Sequence, residues 1–171
     1  MRIAELFESV QGEGELTGTP SVFIRTSGCN LRCHFCDTPY TSWEPEGESH
    51  TVEQLVDQVQ ATACRHVVIT GGEPMLFGEM SEFTRRLATL GVHITIESAG
   101  TIDQPVRCDL MSISPKRPNS TPSVQQAGGW SARHEQTRHN PRVMRRLLQD
   151  YEYQLKFVVA AASDIDDVFE Y

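Results

Sequence analysis

Apolar residues along this chain fall into short runs and helical repeats that take turns. Glu5 to Ser9 and Ser21 to Thr26 read as strands. From Thr51 the spacing changes: Val52, Leu55, Val56 and Val59 recur at helical intervals, and Thr51 with Gln54 resembles a capping box. His66-Val67-Val68-Ile69-Thr70 is a β-branched run typical of a buried strand, and it ends at Gly71-Gly72-Glu73-Pro74. Met80, Phe83, Leu87 and Leu90 mark a second helix, stopped by Gly91. Strands are predicted at Val92 to Glu97 and near Asp109 to Ser114. A Pro- and Gly-rich loop is predicted from about Pro115 to Gly129. Asn140-Pro141 supplies the N-cap and first turn of a helix through Tyr151. Gln154 to Val159 reads as a strand, and Ser163 opens a last helix toward Tyr171.

Strands alternating with helices predict parallel βαβ units in an α/β fold. Such folds gather function just beyond strand C-termini. Thr70-Gly71-Gly72-Glu73, Glu97-Ser98, Ser114-Pro115-Lys116 and Lys156 occupy that kind of position. Gly28 to His50 has no periodicity and is rich in Cys, Pro, Gly and polar residues, and long loops in small domains tend to be functional.

That loop carries Cys29-Asn30-Leu31-Arg32-Cys33-His34-Phe35-Cys36, three of the five cysteines within eight residues. An odd count without a signal peptide does not predict a disulfide framework; a tight cluster predicts a metal centre. Two centres fit the spacing. A 4Fe–4S cube held by three thiolates keeps one iron open for a cofactor or substrate. S-adenosylmethionine (SAM) can chelate such an iron and be cleaved by an electron from the cube. A zinc site would need a fourth ligand, such as His34, His66 or Cys64. The Gly71-Gly72-Glu73-Pro74 turn favours the first: its glycines allow close backbone approach, and its amides and Glu73 could hold an amino-acid moiety. Cys64 and Cys108 match no motif and read as small buried residues. His34 reads as a loop residue.

The remaining composition narrows the class. At 171 residues the chain fits one domain with a real core, and no apolar stretch reaches membrane-spanning length. A net charge of −8 argues against a broad nucleic-acid surface, and the Arg138 to Arg146 segment reads as a solvated helix face. The N-terminus lacks a signal peptide's apolar run, so a soluble, cytoplasmic protein is expected.

The CxxxCxxC spacing with Gly71-Gly72-Glu73-Pro74 resembles the radical SAM superfamily. A narrower resemblance, to the 7-carboxy-7-deazaguanine synthases, rests on several blocks: Phe7-Glu8-Ser9-Val10-Gln11-Gly12-Glu13-Gly14, Gly18-Thr19-Pro20, Phe23-Ile24-Arg25, Gly28-Cys29 and Cys36-Asp37-Thr38. It extends more thinly through Ser114-Pro115-Lys116 and Gln154-Leu155-Lys156-Phe157. The resemblance implies a partial (β/α) barrel. It also implies a lyase that converts 6-carboxy-5,6,7,8-tetrahydropterin to 7-carboxy-7-deazaguanine with release of ammonia, feeding queuosine and other deazapurine pathways. A 5′-deoxyadenosyl radical would take hydrogen from carbon 6 of the pterin, the ring would contract, and SAM would be regenerated.

The resemblance also assigns roles. Cys29, Cys33 and Cys36 would ligate the 4Fe–4S cluster. Phe35, Cys36, Asp37, Gly72, Ser114, Pro115, Lys116, Gln154, Leu155, Lys156 and Phe157 would lie along SAM. Val10, Gln11, Gly12, Arg25 and Thr70 would bind the pterin, with the planar fork of Arg25 suited to its carboxylate. Thr38 would offer its hydroxyl to Mg²⁺, a hard cation that takes oxygen ligands. An electron donor such as flavodoxin or ferredoxin and a homodimer are implied, with no nucleic-acid or membrane partner. Members of this family usually continue further, so residues 1–171 are expected to be one radical SAM domain without its usual C-terminal part. The last strand would then have an exposed edge. Competing readings are an activase that makes a glycyl radical on a partner enzyme, a zinc-stabilised binding module, and a homologue that no longer turns over.

Overall fold

The computed structural model describes residues 1–171. Seven strands form one sheet: β1 (Arg2–Val10), β2 (Pro20–Thr26), β3 (Glu48–Ser49), β4 (His66–Gly71), β5 (His93–Ser98), β6 (Leu110–Ile113) and β7 (Tyr153–Leu155). Their spatial order is β3-β1-β2-β4-β5-β6-β7. From β2 to β7 every pair is parallel, whereas β1 runs antiparallel to both β2 and β3. Helices α1 (Pro39–Ser42), α2 (Val52–Gln60), α3 (Met80–Thr89), α4 (Val124–Ala127), α5 (Gly129–Thr137) and α6 (Pro141–Asp150) occupy the connections, and α7 (Ser163–Phe169) follows β7. The result is an open, parallel-dominated α/β sheet of partial-barrel type, as expected.

Period-2 alternation in the parallel strands divides the sheet into two faces. Val22 and Ile24, Val67 and Ile69, Ile94 and Ile96, and Met111 and Ile113 join one core. They pack there with Leu55, Val56 and Val59 of α2, Phe83 and Leu87 of α3, and Met144 and Leu147 of α6. Each such side chain contributes roughly 1.5–3 kcal/mol when fully buried. The alternate residues face the other way. Register aligns Arg25 with Thr70, Glu97 with Ser112, and Ser112 with Gln154, and Thr70 donates to Glu97 at 2.8 Å. One polar row therefore crosses five parallel strands.

Local chemistry explains the ends of the helices. Thr51 Oγ1 accepts from Gln54 N at 3.1 Å and Gln54 Oε1 accepts from Thr51 N at 2.8 Å, completing the capping box before α2. The Asn140 side chain accepts from Val143 N, with Pro141 in the first turn of α6. Gly91 adopts a φ of +65° after α3. No helix is long and apolar enough to cross a membrane.

Several expectations need correction. The predicted loop from Gly28 to His50 contains α1 and β3, and the region beyond Pro115 contains a 3₁₀ turn at Pro118–Ser120 followed by α4 and α5. The strand predicted over Gln154 to Val159 is only β7, because Lys156 N donates the last sheet bond, to Ile113 O. β7 lies at the sheet edge, with Tyr153, Leu155, Val158 and Val159 exposed. Cys64 and Cys108 are half-buried rather than buried. Cys64 Sγ donates to Glu8 Oε2 at 3.2 Å.

Candidate active site

A cavity of about 610 Å³ opens at the C-terminal ends of the parallel strands. One side is the loop after β2, with Cys29, Leu31, Cys33, Phe35, Cys36, Asp37 and Thr38. The other is the polar row and its surroundings: Val10, Gln11, Gly12, Glu13, Arg25, Thr70, Glu97, Ser114, Lys116 and Lys156. Most of the residues expected to act together therefore meet here, Gly72 among them. Pro115, Gln154, Leu155 and Phe157 do not line the cavity. Gln154 stands on the polar row, but its amide donates to Ser112 Oγ and accepts from Glu15 N, both at 2.8 Å. Gly14 covers it so closely that a Cβ there would lie 2.3 Å from Gln154 Nε2. Gln154 thus ties the β1–β2 loop to the sheet edge. Leu155 faces away, and Phe157 packs edge-on against Tyr171.

Glu97 is the centre of the polar wall, and the sequence alone assigned it no role beyond its strand-end position. Its Oε2 accepts from Thr70, and its Oε1 accepts from Gln11 Nε2 at 3.3 Å and Lys156 Nζ at 3.1 Å. Lys156 also donates to Glu13 at 2.8 Å. Burial works against the Lys156 ammonium, but Glu97 and Glu13 outweigh it and hold its pKa above the ordinary value. The hydrogen bond from Lys156 holds the Glu13 carboxyl below the usual range. Arg25 spends its Nε on Glu5 at 2.6 Å and lies over Phe7, so its terminal fork remains for a ligand.

The Gly71-Gly72-Glu73 turn departs from expectation. Gly72 N donates to Thr26 O and Glu73 N to Gly28 O, so these two amides bind the end of β2 and the loop after it rather than a ligand. A Cβ on Gly72 would lie 2.1 Å from Gly28 O and 2.7 Å from Thr41 O; glycine is required for this backbone crossing. Glu73 is fully buried and faces inward. Its Oε1 accepts from Met75 N at 3.0 Å and Ser98 Oγ at 2.9 Å, and its Oε2 from Ala99 N at 2.8 Å. Burial pushes its pKa up against these three donors.

The cysteine wall suits a soft metal centre. All three thiols are free and share the cavity. Burial pushes Cys29 up to about 12 and Cys33 up to about 11, so both are neutral thiols until a cation displaces their protons. Leu31 N–H points at Cys29 Sγ at 3.4 Å, and Ser42 Oγ lies 3.3 Å from Cys36 Sγ. Trp43 Nε1 donates to Cys33 O at 3.1 Å. No three His, Cys, Asp or Glu side chains form a ready site for a single ion. Three free thiols on one wall are the donor set of a thiolate-bound cluster, with room beside it for an organic cofactor. Thr38 Oγ1 lies 3.4 Å from Asp37 Oδ1 on the same wall, two oxygens of the kind a hard cation takes.

Sequence reasoning also left His134 unassigned. It is fully buried, and burial followed by the charge of Arg138 lowers its pKa to about 4. A group whose folded pKa lies below its ordinary 6.5 binds more protons when unfolded. Its contribution to stability is complete above about pH 6.5 and is lost as pH falls toward 4. Thermal midpoints measured across this window should fall with acidification, and the slope should flatten in His134→Asn, which cannot titrate. An equal slope in both proteins would contradict this.

Comparison with known proteins agrees with this geometry. Residues 23–138 match the radical SAM superfamily. This chain belongs to that superfamily, which implies a 4Fe–4S cluster and SAM. Its relatives then narrow the likeness. It is 49% identical over 169 residues to a 7-carboxy-7-deazaguanine synthase of Rhodopirellula baltica, covering 98% of this chain and 66% of that protein. It is 48% identical to the synthase of Halobacterium salinarum, with 97% and 66% covered. The crystal structure of QueE from Escherichia coli superposes with a TM-score of 0.76 at 27% identity, covering 99% of this chain and 75% of that one. The chain thus spans just under two thirds of the length of these two curated relatives.

Proposed function

We propose that residues 1–171 act as one radical SAM domain that converts 6-carboxy-5,6,7,8-tetrahydropterin to 7-carboxy-7-deazaguanine and releases ammonia. The observation that carries this reading is the pairing of walls in one cavity. Three thiols face it from one side, and Arg25, Thr70, Gln11, Glu97 and Lys156 from the other. The names of two relatives, both 7-carboxy-7-deazaguanine synthases, support the same product.

In this reading Cys29, Cys33 and Cys36 hold the cluster, and Phe35, Asp37, Gly72, Ser114, Lys116 and Lys156 flank SAM. When bound, that pair supplies a carbon-centred radical that begins the reaction. The chain's own residues bind and orient. The free fork of Arg25 pairs with the substrate carboxylate in two parallel hydrogen bonds. Glu97 offers acceptor oxygens to the ring N–H groups, with Thr70 and Gln11 fixing its rotamer. Lys156, held protonated by its two carboxylates, acts as a cation rather than a base. Thr38 and Asp37 offer oxygens for Mg²⁺ beside the substrate. Phe7, Phe23 and Val10 make the opposing surface apolar and displace water. An external one-electron protein such as flavodoxin or ferredoxin supplies the reductant, and the assembly is a homodimer.

The test is anaerobic. Protein reconstituted with iron and sulfide is incubated with dithionite, SAM and the carboxytetrahydropterin, and product mass is followed. Carboxydeazaguanine should form, and Cys33→Ala should lose both the cluster absorbance and the product. Cleavage of SAM without that product would exclude the pterin lyase and favour a glycyl-radical activase. Zinc bound where no cluster can be assembled would overturn the cofactor assignment as well.

A further inference from the structure

Helix α5 contributes nothing to the cavity wall, yet its buried histidine holds the loop that carries the cysteines. His134 Nδ1 accepts the Arg32 backbone N–H at 3.1 Å. That contact fixes the tautomer: the hydrogen sits on Nε2, which donates to Ser120 Oγ at 2.9 Å. Ser120 Oγ donates onward to Arg117 O at 2.7 Å, and Ser120 O accepts His34 N–H at 3.0 Å. Two backbone N–H groups inside the Cys29–Cys36 segment are therefore attached to one buried unit outside it.

The residue before Arg32 faces sulfur. Leu31 N–H points at Cys29 Sγ at 3.4 Å. The Arg32 guanidinium donates to Cys29 O at 2.9 Å and Leu31 O at 2.7 Å, and lies 4.0 Å from the ring centre of Trp130, also on α5. Rotating the peptide between Leu31 and Arg32 would break the His134 contact, pull Leu31 O from the Arg32 guanidinium and strain the torsions at Leu31 Cα that orient the preceding peptide, whose N–H faces the sulfur. Hydrogen bonds to a ligating sulfur, and the outer groups that orient them, set a cluster's potential. An N–H aimed at sulfur stabilises the more negative, reduced state.

We propose that His134 is a positioning residue for the cysteine loop: by accepting the Arg32 N–H, it keeps the Leu31 N–H trained on Cys29 Sγ. The proposal rests on the reading that this loop holds the iron–sulfur cluster.

Three variants separate this role from simple core filling. His134→Phe retains bulk without polar contacts. His134→Asn places an acceptor where Nδ1 stands. His134→Gln reaches the Nε2 position toward Ser120 and leaves Arg32 N–H without a partner. The first readout is hydrogen exchange at the Arg32 amide in metal-free protein. Exchange should be at least about tenfold faster in the Phe and Gln variants than in the parent, with Asn close to the parent. The second is the cluster's midpoint potential after anaerobic reconstitution, which should move to more negative values in Phe and Gln and return in Asn. Iron loss to a chelator should follow the same order.

Equal behaviour of the Asn and Gln variants in both readouts would overturn the proposal. So would changes that merely track loss of global stability. Should His134→Phe fail to fold, the Asn and Gln pair carries the comparison. Exchange is read without metal, so a chain that assembled no cluster would sink the cluster reading and leave exchange to decide the role of His134.

Discussion

Replacing Glu73 by Ala is expected to destabilise the protein by about 3 kcal/mol or more, a large share of the roughly 5–15 kcal/mol that holds a domain folded. The carboxyl is fully buried and serves three donors, the backbone N–H groups of Met75 and Ala99 and the hydroxyl of Ser98. Alanine would strand all three away from water, and each unmet buried group costs about 1–3 kcal/mol. The damage would also reach the site, because Met75 and Ala99 lie beyond the ends of β4 and β5, where the cavity forms. Glu73→Gln should lose less. Its carbonyl can still accept from Met75 and Ser98, but its amide then meets the Ala99 N–H, donor against donor. Urea unfolding of the three proteins measures the order. A loss below about 1 kcal/mol in the Ala variant would mean that water reaches these donors, contrary to the burial seen.

Glu73 also shows where sequence reading reached and where it stopped. The turn was legible as important, because two glycines, an acid and a proline close a β-branched strand. The structure gives it a second use, a close backbone crossing. Glycine there admits a neighbouring backbone as readily as a ligand, and only the position of Gly28 and Thr41 distinguishes the two. The strands and α2, α3 and α6 were legible because their apolar spacing is strong and their caps are explicit. Helix α5 was not. Among Gly129 to Thr137 only Trp130 and Ala132 are apolar, and the helix is anchored by a buried histidine whose partners lie 14 and 102 residues away. Gln154 illustrates a different limit. Resemblance assigned it to the cofactor, but a contact with Glu15, 139 residues away, uses its amide in closing the sheet edge. The cysteines carry their chemistry in their spacing, whereas Glu97 acquires its role only from register, through alignment with Ser112 and contact with Thr70.

Glu97→Ala should therefore have the largest effect on turnover among residues that touch neither metal nor SAM. Removing the carboxylate frees Thr70 and Gln11 from their common acceptor and leaves Lys156 to Glu13 alone. Truncating one member of a partly buried, hydrogen-bonded charge pair costs about 2–5 kcal/mol, much of it from the partner left behind. If that loss falls on substrate binding and orientation, kcat/KM should drop about 10²- to 10³-fold. Cluster content should stay near the parent value, because the cysteine wall is not touched. Lys156→Ala should be harmful as well. The double variant should be less impaired than the product of the two single effects, since either single variant already removes the Glu97–Lys156 contact and it can be lost only once. Steady-state rates for the four proteins form a complete cycle. Multiplicative losses would show that Glu97 and Lys156 act independently, and parent-like turnover in Glu97→Ala would remove the polar row from the substrate site.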